Sequence, residues 1–553
     1  MSESGSPTLR SCVNPVFYDF NANAGKYYFY LNSGPDHIEM RVSLRFMLFY
    51  YRARCYRLRP DGGTSGGLIM SQFSKLYIFL MLAIDLFTLI GCGSSTGNST
   101  STTTTPPPAV HNEWVWKSGS SAVNQPGNYG TKGEASANAV PPGRFSPTAW
   151  TDASGDFWLF GGYSSPSGED LSDLWEYSGG MWRWVGGPQK SGQVGIYGVQ
   201  GVAAAANIPG ARSEAVGWVD KAGNFWLFGG FRTAPILSGI AGTGGIFADL
   251  WKYSHGGWTW VRGSNQPANP GLSGDYQGTG VYGTKGEPAS TDYPGARYGA
   301  SAWTDSAGNL WLFGGQGVDS QGNLGELNDL WKYDIATNQW TWMSGSDLVN
   351  QPGIYGNKGV AASTNTPGAR AGAVAVSDQS GNLWLFGGDG ADANDCNDSS
   401  PPCDLNDLWK YNTTANEWTW VSGSNLNNQP GTYGQEGQPA AANVPPPRDG
   451  AVGWMDSAGD LWIFGGISGT QNLNDLWKYD FSTNEWTWMN GTGESCPTAV
   501  YGTEGVAAPS NVPGGRDGAA AWIDASGNLW FFGGDEAICN GPGTYNDLWE
   551  YEP

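Results

Sequence analysis

The sequence has little charge of either sign, and positive charge is especially scarce. Charged residues make up 14% of its 553 residues, with 28 lysines and arginines against 50 aspartates and glutamates, a formal net charge of −22. A chain this acidic is repelled by nucleic acid and by anionic lipid surfaces. We therefore expect neither of these as a partner bound through bulk electrostatics.

Histidine is also scarce, with three in the chain. Only His111 and His255 follow residue 92, and they fall in different parts of the repeat described below. A protein copper centre needs ligands that converge on one point. Two histidines that cannot meet argue against a copper oxidase.

Long hydrophobic runs are lacking as well. The apolar run after Lys75 has about fifteen residues, which is too short for a comfortable membrane span but suits the core of a signal peptide. It ends in Leu89-Ile90-Gly91-Cys92 and resembles the lipobox of bacterial lipoproteins, although Asp85 interrupts it and it starts far from Met1. The resemblance implies cleavage before Cys92 and lipidation of that cysteine. The alternative is a buried apolar strand followed by an ordinary cysteine.

These features divide the chain into four parts. Residues 1–69 are an unassigned extension, which is not translated if Met70 is the true start. Residues 70–91 are the signal segment, 92–110 a tether rich in Ser, Thr and Pro, and 111–553 the repeat domain. We expect export to the cell envelope and a lipid anchor in the outer membrane or at the cell surface.

Glycine and tryptophan, by contrast, are abundant, with 85 and 29 copies. Most occur in a repeated unit that predicts four strands, with a Gly-Gly pair after the second, Asp-Leu-Trp in the third and Trp-x-Trp in the fourth. Each motif occurs six times, but the first Trp-x-Trp, at 114–116, precedes all the others. We interpret this displaced copy as the outer strand of the last unit, which closes a ring and removes an open sheet edge.

The glycine pairs and spaced aromatics resemble kelch repeats. The resemblance implies an all-β fold, a six-bladed kelch-type β-propeller closed by an N-terminal strand that completes the last blade. Blade packing accounts for every tryptophan. The loop before each first strand has a fixed length in five of the six units, all but 260–297, and is expected to belong to the scaffold. The loop after each Gly-Gly varies in length, so that face is expected to carry recognition.

Six arginines open the predicted first strands, the strands nearest the propeller axis. A ring of guanidinium groups could bind an acidic ligand, or each arginine could instead pair with a blade acid such as Asp173 or Asp329. The residues are Arg144, Arg212, Arg297, Arg370, Arg448 and Arg516.

One variable loop, residues 389–406, is rich in acids. Its carboxylates could bind calcium or simply form a solvated acidic loop, and no other cofactor is expected. The candidate ligands are Asp389, Asp392, Asp395 and Asp398. Four cysteines, Cys396, Cys403, Cys496 and Cys539, lie in loops of the same face and suit disulfides in an exported chain, with the pairing left open.

Two classes of function remain. The first is a monomeric, surface-tethered binding or scaffolding module for a protein segment or an acidic glycan. The alternative is a sugar-active enzyme similar to the six-bladed sialic acid mutarotases, although no catalytic residue can be assigned. A catalytic pocket is expected to break the sixfold symmetry with one or two unpaired acids or bases near the axis.

Overall fold

The computed structural model divides the chain into two units, Met1–Thr103 and Thr104–Pro553. It describes residues 112–553 except 234–235, 238–239, 242–243, 269–277, 395–401, 537–540 and 542, with only the backbone at 236–237 and 240–241. Of the first unit it describes the backbone of one antiparallel sheet, β1 (Lys26–Ser33), β2 (Asp36–Ser43) and β3 (Arg54–Arg57). The predicted signal segment, the tether, Cys92 and His111 lie outside the described residues.

The second unit is a ring of six antiparallel sheets, as predicted. It begins with β4 (Glu113–Ser118). Blade 1 has β5 (Ala135–Ser136), β6 (Thr148–Thr151), β7 (Phe157–Phe160), β8 (Tyr163–Ser164), β9 (Glu169–Asp170), β10 (Leu174–Ser178) and β11 (Met181–Gly186). Blade 2 has β12 (Val216–Val219), β13 (Phe225–Phe228), β14 (Phe231–Arg232), β15 (Ile236–Leu237), β16 (Ile240–Ala241), β17 (Gly245–Ile246), β18 (Leu250–Ser254) and β19 (Gly257–Arg262).

The remaining blades repeat this order. Blade 3 has β20 (Arg297–Tyr298), β21 (Ser301–Thr304), β22 (Leu310–Val318), β23 (Leu324–Asp334) and β24 (Gln339–Ser344). Blade 4 has β25 (Arg370–Ala371), β26 (Val374–Ser377), β27 (Leu383–Gly390), β28 (Asp404–Asn412) and β29 (Glu417–Ser422). Blade 5 has β30 (Val452–Met455), β31 (Leu461–Phe464), β32 (Ile467–Ser468), β33 (Gln471–Asn472), β34 (Leu476–Asp480) and β35 (Glu485–Asn490), and blade 6 has β36 (Ala520–Ile523), β37 (Leu529–Phe532) and β38 (Leu548–Glu552).

The innermost strands form a closed circle. Each packs against the innermost strand of the next blade, in the order β6, β12, β21, β26, β30, β36 and back to β6. Along each of them buried and half-buried residues alternate, while the first four residues of every second strand are buried. The hydrophobic core therefore lies between blades, and six of its clusters each join residues of two adjacent blades.

The displaced strand closes the ring as the sequence predicted. β4 pairs with β38 in an antiparallel register, with Trp116 opposite Trp549 and Trp114 opposite Tyr551. Trp114 is fully buried and its ring packs against Phe464 and Phe531. One end of the domain thus completes the sheet at the other, so no blade is left with three strands.

The fixed-length connections also have the predicted scaffold role. Each runs along the outer strand of the blade that it leads into, and covers that edge with a few backbone hydrogen bonds. In blade 1 the contact is β5 against β11, and in blades 2 to 5 it is a single bridge from an alanine to the first Trp of Trp-x-Trp. This cover blunts the outer sheet edges, which would otherwise offer unpaired backbone groups. The part of the chain that the structure describes contains no helix long and apolar enough to cross a bilayer.

We predict that the closing strand is essential to stability. Trp114→Ala should lower the free energy of unfolding by about 3–5 kcal/mol, the usual range for truncating a buried tryptophan. The measurement is urea denaturation of the domain from residue 104 onward, with exposed Ser121→Ala as the control. A loss no larger than that of the control would show that the ring does not depend on β4.

Candidate functional site

The six predicted arginines all lie inside the blades. Their side chains are 0–1% exposed, and each forms a bidentate ion pair with the aspartate of Asp-Leu-Trp in its own blade. In blade 3, Arg297 Nη1 lies 2.6 Å from Asp329 Oδ1, and Nη2 lies 2.7 Å from Oδ2. The other pairs are Arg144–Asp173, Arg212–Asp249, Arg370–Asp407, Arg448–Asp475 and Arg516–Asp547.

Each ion pair is the centre of a larger hydrogen-bond network. Arg297 also donates to the carbonyls of Gly295 and of Gly314, the first glycine of the Gly-Gly pair. Asp329 Oδ2 accepts further bonds from the Tyr282 hydroxyl and the Trp331 indole. The network ties together four segments of the blade, and each of the other blades repeats it.

The electrostatics of these pairs suit a structural role. Burial lowers the pKa of the Arg297 guanidinium, but the charge and hydrogen bonds of Asp329, together with Tyr282, outweigh burial, and the pKa is raised overall. Burial, followed by the charge of Asp329, raises the pKa of Tyr282 well above its usual value. The guanidinium is therefore charged and the phenol neutral at any physiological pH.

This geometry corrects the prediction of an arginine ring that binds an acidic ligand. The guanidinium groups are buried and their forks already hold aspartates, so they present no charge at the axial opening. The alternative, pairing with blade acids such as Asp173 and Asp329, is what the structure shows. The regular recurrence of the arginine reflects the recurrence of its partner in every blade.

A second ring surrounds the propeller axis at the variable-loop face. The residue two positions after each arginine donates its backbone N–H to the carbonyl of the equivalent residue in a neighbouring blade, and the six bonds form a closed circle that we call the axial ring. Its members are Ser146, Glu214, Gly299, Gly372, Gly450 and Gly518, with donor–acceptor distances of 2.6–3.0 Å.

The axial ring requires a backbone conformation that favours glycine. All six residues have positive φ, from 49° at Ser146 to 66° at Gly372. Four blades use glycine, but blade 2 places Glu214 there at φ 55°. A glutamate in the left-handed region is strained by about 1–2 kcal/mol. Such strain at an axial position points to a role for the side chain.

Three acids, which we call the axial acids, line this ring. They are Glu214, a ring member, and Asp449 and Asp517, which directly precede ring members. A Cβ placed on Gly299 would lie 3.2 Å from Glu214 Oε2, and one on Gly372 would lie 3.5 Å from Asp449 Oδ2. These two carboxylates thus lie against glycines of adjacent blades, the following blade for Glu214 and the preceding blade for Asp449.

The axial acids have few partners among the described residues. Asp517 Oδ1 accepts a hydrogen bond of 2.8 Å from the Asn472 amide, while the carboxylates of Glu214 and Asp449 accept none. Burial raises the pKa of Glu214 to about 7 and that of Asp517 to about 8, with repulsion from Asp170 and Asp535 adding to the respective shifts. Burial, then repulsion by Asp404 and Asp517, raises the pKa of Asp449 well above its usual value.

Two further acids, which we call the rim acids, stand just outside. Asp170 and Asp404 occupy the same position in blades 1 and 4, three residues before the ion-pair aspartate, and both are 0% exposed. Asp404 Oδ2 accepts a bond of 2.5 Å from the Gly469 N–H, whereas its Oδ1 has no hydrogen-bond partner in the structure. Burial raises the pKa of Asp404 to about 7 and that of Asp170 to about 6.

Aromatic rings share the ring with the acids. Phe145 and Tyr298 occupy the same position in blades 1 and 3 that Asp517 and Asp449 occupy in blades 6 and 5. Phe145 packs with Tyr163 at 5.3 Å between ring centroids, and Tyr298 with Phe231 at 5.4 Å. Aromatic and acidic residues are therefore interleaved around the axis, with Glu214 of blade 2 between the two aromatic blades.

The predicted calcium ligands are only partly described. Asp389 accepts a hydrogen bond from the Cys403 N–H, and Asp392 accepts bonds from Asn394 and Asn427, so both acids brace their loop. Asp395 and Asp398 lie outside the described residues, as do Cys396 and Cys539. Calcium binding by this loop stays a prediction.

Across the described residues, one group of three acids could hold a metal ion. It is Asp152, Asp156 and Glu176, whose ligand atoms lie within 4.8 Å of one another on the opposite face. Glu176 is already paired with Arg183. The axial acids do not converge in this way, so their spacing does not form a ready three-carboxylate metal site.

The residues Glu214, Asp449 and Asp517 were not among the predicted site residues. Their signal was the residue pattern after each repeated arginine. Blades 3 to 6 have glycine two positions after the arginine, so Glu214 departs from the pattern, and only blades 5 and 6 have an acid directly after it. One or two unpaired acids or bases near the axis are the expected mark of a catalytic pocket, and Glu214 and Asp449 are acids of this kind, whereas Asp517 accepts a hydrogen bond from Asn472.

Architecture and repeat pattern together define a six-bladed β-propeller of the kelch type. Residues 357–511 match the model of the KLHDC2/KLHL20/DRC7 Kelch-repeats domain family. This match and the six-bladed arrangement support a kelch-repeat propeller protein. No curated protein matches the chain.

We predict that the buried arginines stabilise the fold without any ligand. Arg297→Ala should lower the free energy of unfolding by about 3–5 kcal/mol, because it leaves the Asp329 carboxylate buried and unpaired. Arg183→Ala removes a partly exposed pair with Glu176 and should cost about 1 kcal/mol or less. The measurement is urea denaturation at neutral pH. Equal stability of Arg297→Ala and the parent would overturn the structural assignment.

We further predict that the axial acids destabilise the fold as pH rises. Between about pH 4 and the raised pKa values, unfolded carboxyls have lost protons that the folded protein retains, so stability falls across that window. Relative to Glu214→Gln/Asp517→Asn, the parent should lose about 1–3 kcal/mol more between pH 5.5 and 8. Denaturation at both pH values measures this difference. The exposed pair Glu436→Gln/Glu504→Gln should lose as much stability between the two pH values as the parent does. Equal losses in the parent and in both double variants would refute the prediction.

Proposed function

We propose that this protein is an exported, membrane-tethered scaffold that binds a segment of another protein on its variable-loop face. Kelch propellers are protein-interaction modules, and the family match supports that class of role. The observation that carries the choice of face is the departure from sixfold symmetry at the axial ring. The strained Glu214 and the raised pKa of Asp517 cost stability, and residues of this kind are typical of functional sites.

The two faces of the propeller differ in a way that supports this assignment. On the variable-loop face, the connection after Gly-Gly ranges from short hairpins such as β8–β9 and β32–β33 to the long extensions of β22 and β23. On the opposite face, the turns between first and second strands share one hydrogen-bonding scheme. In each turn an aspartate accepts hydrogen bonds from the turn backbone and from a tryptophan indole. In blade 3, Asp305 accepts from the Asn309 N–H and from the Trp311 indole. Loop variation on a constant frame is the usual basis of recognition.

An acidic glycan is a poorer fit to this face. Its carboxylates would meet the axial acids, and the six repeated arginines are engaged within the blades. The mutarotase reaction needs an arginine for the sugar carboxylate, and the repeated arginines do not supply it. A protein segment needs neither.

Export and anchoring rest on the sequence. The apolar run, the Gly91-Cys92 junction and the tether after it support cleavage and lipidation at Cys92. The loop cysteines support the same proposal. Cys403 and Cys496 are disulfide-bonded, and disulfides are typical of exported proteins. We propose the pairs Cys396–Cys403 and Cys496–Cys539.

The test is site-specific photo-crosslinking of the full chain in a bacterial host. A photoreactive amino acid would replace exposed Gln321 or Gln471 on the variable-loop face, or exposed Ser306 or Thr414 on the opposite face. We expect one discrete protein adduct from the first pair and none from the second, identified by mass spectrometry.

Two results would contradict the proposal. Equal adducts from both faces, or adducts only from Ser306 and Thr414, would remove the variable-loop face as the binding surface. Fractionation of the same cells tests the anchor, because Cys92→Ser should lose fatty-acid labelling and leave the membrane fraction. Labelling that persists in Cys92→Ser would rule out the anchor.

A further inference from the structure

The axial opening combines features that point to a cationic ligand. Three carboxylates, those of Glu214, Asp449 and Asp517, line a ring of backbone in which four positions carry no side chain. All six arginines that begin the first strands are turned away into their ion pairs. The local charge of the opening is therefore strongly negative whenever the acids are ionised.

A second, independent observation concerns the rim acid Asp404. The Asp404 side chain is fully buried, its Oδ1 has no hydrogen-bond partner, and the carboxylate lies within electrostatic reach of Asp389 and Asp449. A buried carboxylate oxygen without a donor costs about 1–3 kcal/mol or more. A donor supplied by a ligand would remove that cost.

The shape of the acidic group distinguishes a metal ion from a larger cation. A bare divalent ion needs carboxylate oxygens that converge within a few ångströms. In the described part of the chain the axial and rim acids do not form such a group. A guanidinium or ammonium on a flexible side chain spans more widely spaced acceptors, and guanidinium carries five N–H donors.

The aromatic lining of the opening supports the same choice. The pairs Phe145–Tyr163 and Phe231–Tyr298 belong to blades 1 to 3, where Glu214 of blade 2 lies between them. Cations bind the faces of aromatic rings, and arginine also stacks on them. A carboxylate ligand would gain nothing from such a wall.

We propose that the axial opening receives a basic side chain, arginine before lysine, from the protein segment bound on the variable-loop face. This inference rests on the proposed protein-binding function and names the chemistry of the partner. The side chain's N–H groups donate to Glu214 and Asp449 at the axis, and Asp404 is the acceptor farther out.

The proposal implies that binding releases protons. The charged and titratable groups around Asp449 are all acids except Arg448, which is held by Asp475. The charged groups around Glu214 include Asp170, and Asp170 in turn has Arg232 as a charged neighbour. With pKa values of about 7 for Glu214 and about 8 for Asp517, part of the opening is protonated at neutral pH. A cation favours the ionised forms, so affinity rises with pH.

The experiment is isothermal titration calorimetry of the domain from residue 104 onward. The probe is an acetylated, amidated peptide GRGRGRGRG, with its citrulline counterpart as the uncharged control. We expect binding of the arginine peptide that is at least threefold tighter at pH 8.5 than at pH 6.5, with proton release, and no binding of the citrulline peptide.

A matched pair of variants separates the site from general attraction to an acidic protein. Glu214→Gln/Asp449→Asn and Glu436→Gln/Glu504→Gln change the net charge equally, but the second pair is exposed on the fixed-length connections between blades. The first should weaken peptide binding at least tenfold and the second less than twofold. Equal weakening of peptide binding by both double variants would overturn the axial site. It would also be overturned if Glu214→Gln/Asp449→Asn alone abolished tight calcium binding but still bound the peptide.

The outcome can be told apart from that of the proposed function. If the loop-face crosslinks form but the arginine peptide does not bind, the scaffold function stands and the basic side chain is wrong. If the peptide binds at the axial acids but no loop-face crosslink forms, the cation site stands without its protein partner, and the inference in its present form is overturned.

Discussion

The propeller depends on one interaction repeated six times, the buried ion pair between the arginine ahead of each innermost strand and the aspartate of each Asp-Leu-Trp motif. A buried ion pair is stable only when its remaining polar atoms are also satisfied. Here the glycine carbonyls accept from the arginine, while a tyrosine and a tryptophan donate to the aspartate. Inner strand, Gly-Gly corner, third strand and incoming connection are thereby fixed relative to one another.

This requirement explains a feature of the connections. The tyrosine stands 15 positions before the arginine and the first glycine of the pair 17 positions after it in all six blades, including the one with the longer connection. The extra residues of that connection precede Tyr282, where they leave the network intact. Length varies only where no atom has to reach the ion pair.

The same regularity makes the axial opening informative. Backbone geometry there is set by the closed ring of hydrogen bonds, and glycine is the residue that this geometry favours. Glu214 is retained at positive φ, and Asp449 and Asp517 are retained beside it with raised pKa values. A fold that satisfies nearly every other buried charge leaves these acids poorly partnered, which is why we place function at this point rather than at the arginines.

Much of the fold could be predicted from the sequence. The sixfold recurrence of Gly-Gly, Asp-Leu-Trp and Trp-x-Trp indicated the number of blades, and the early copy at 114–116 indicated the closing strand. Each motif acts within one blade, where sequence spacing translates directly into strand register. The recurrence of the arginine was equally visible in the sequence. Its spacing is the same whether the guanidinium binds a ligand or forms an ion pair inside the blade, so the sequence could not distinguish the two.

The sequence by itself determined the repeat, the blade number and the way the ring closes, because local hydrophobic and turn patterns specify strands and their order. Tertiary structure decided which charges are free. Arg297 and Asp329 are 32 positions apart and meet in one buried pair, while Glu214 and Asp449 belong to different blades and share the axis only when the circle is closed. Burial and pairing are properties of the assembled ring, and no linear spacing contains them.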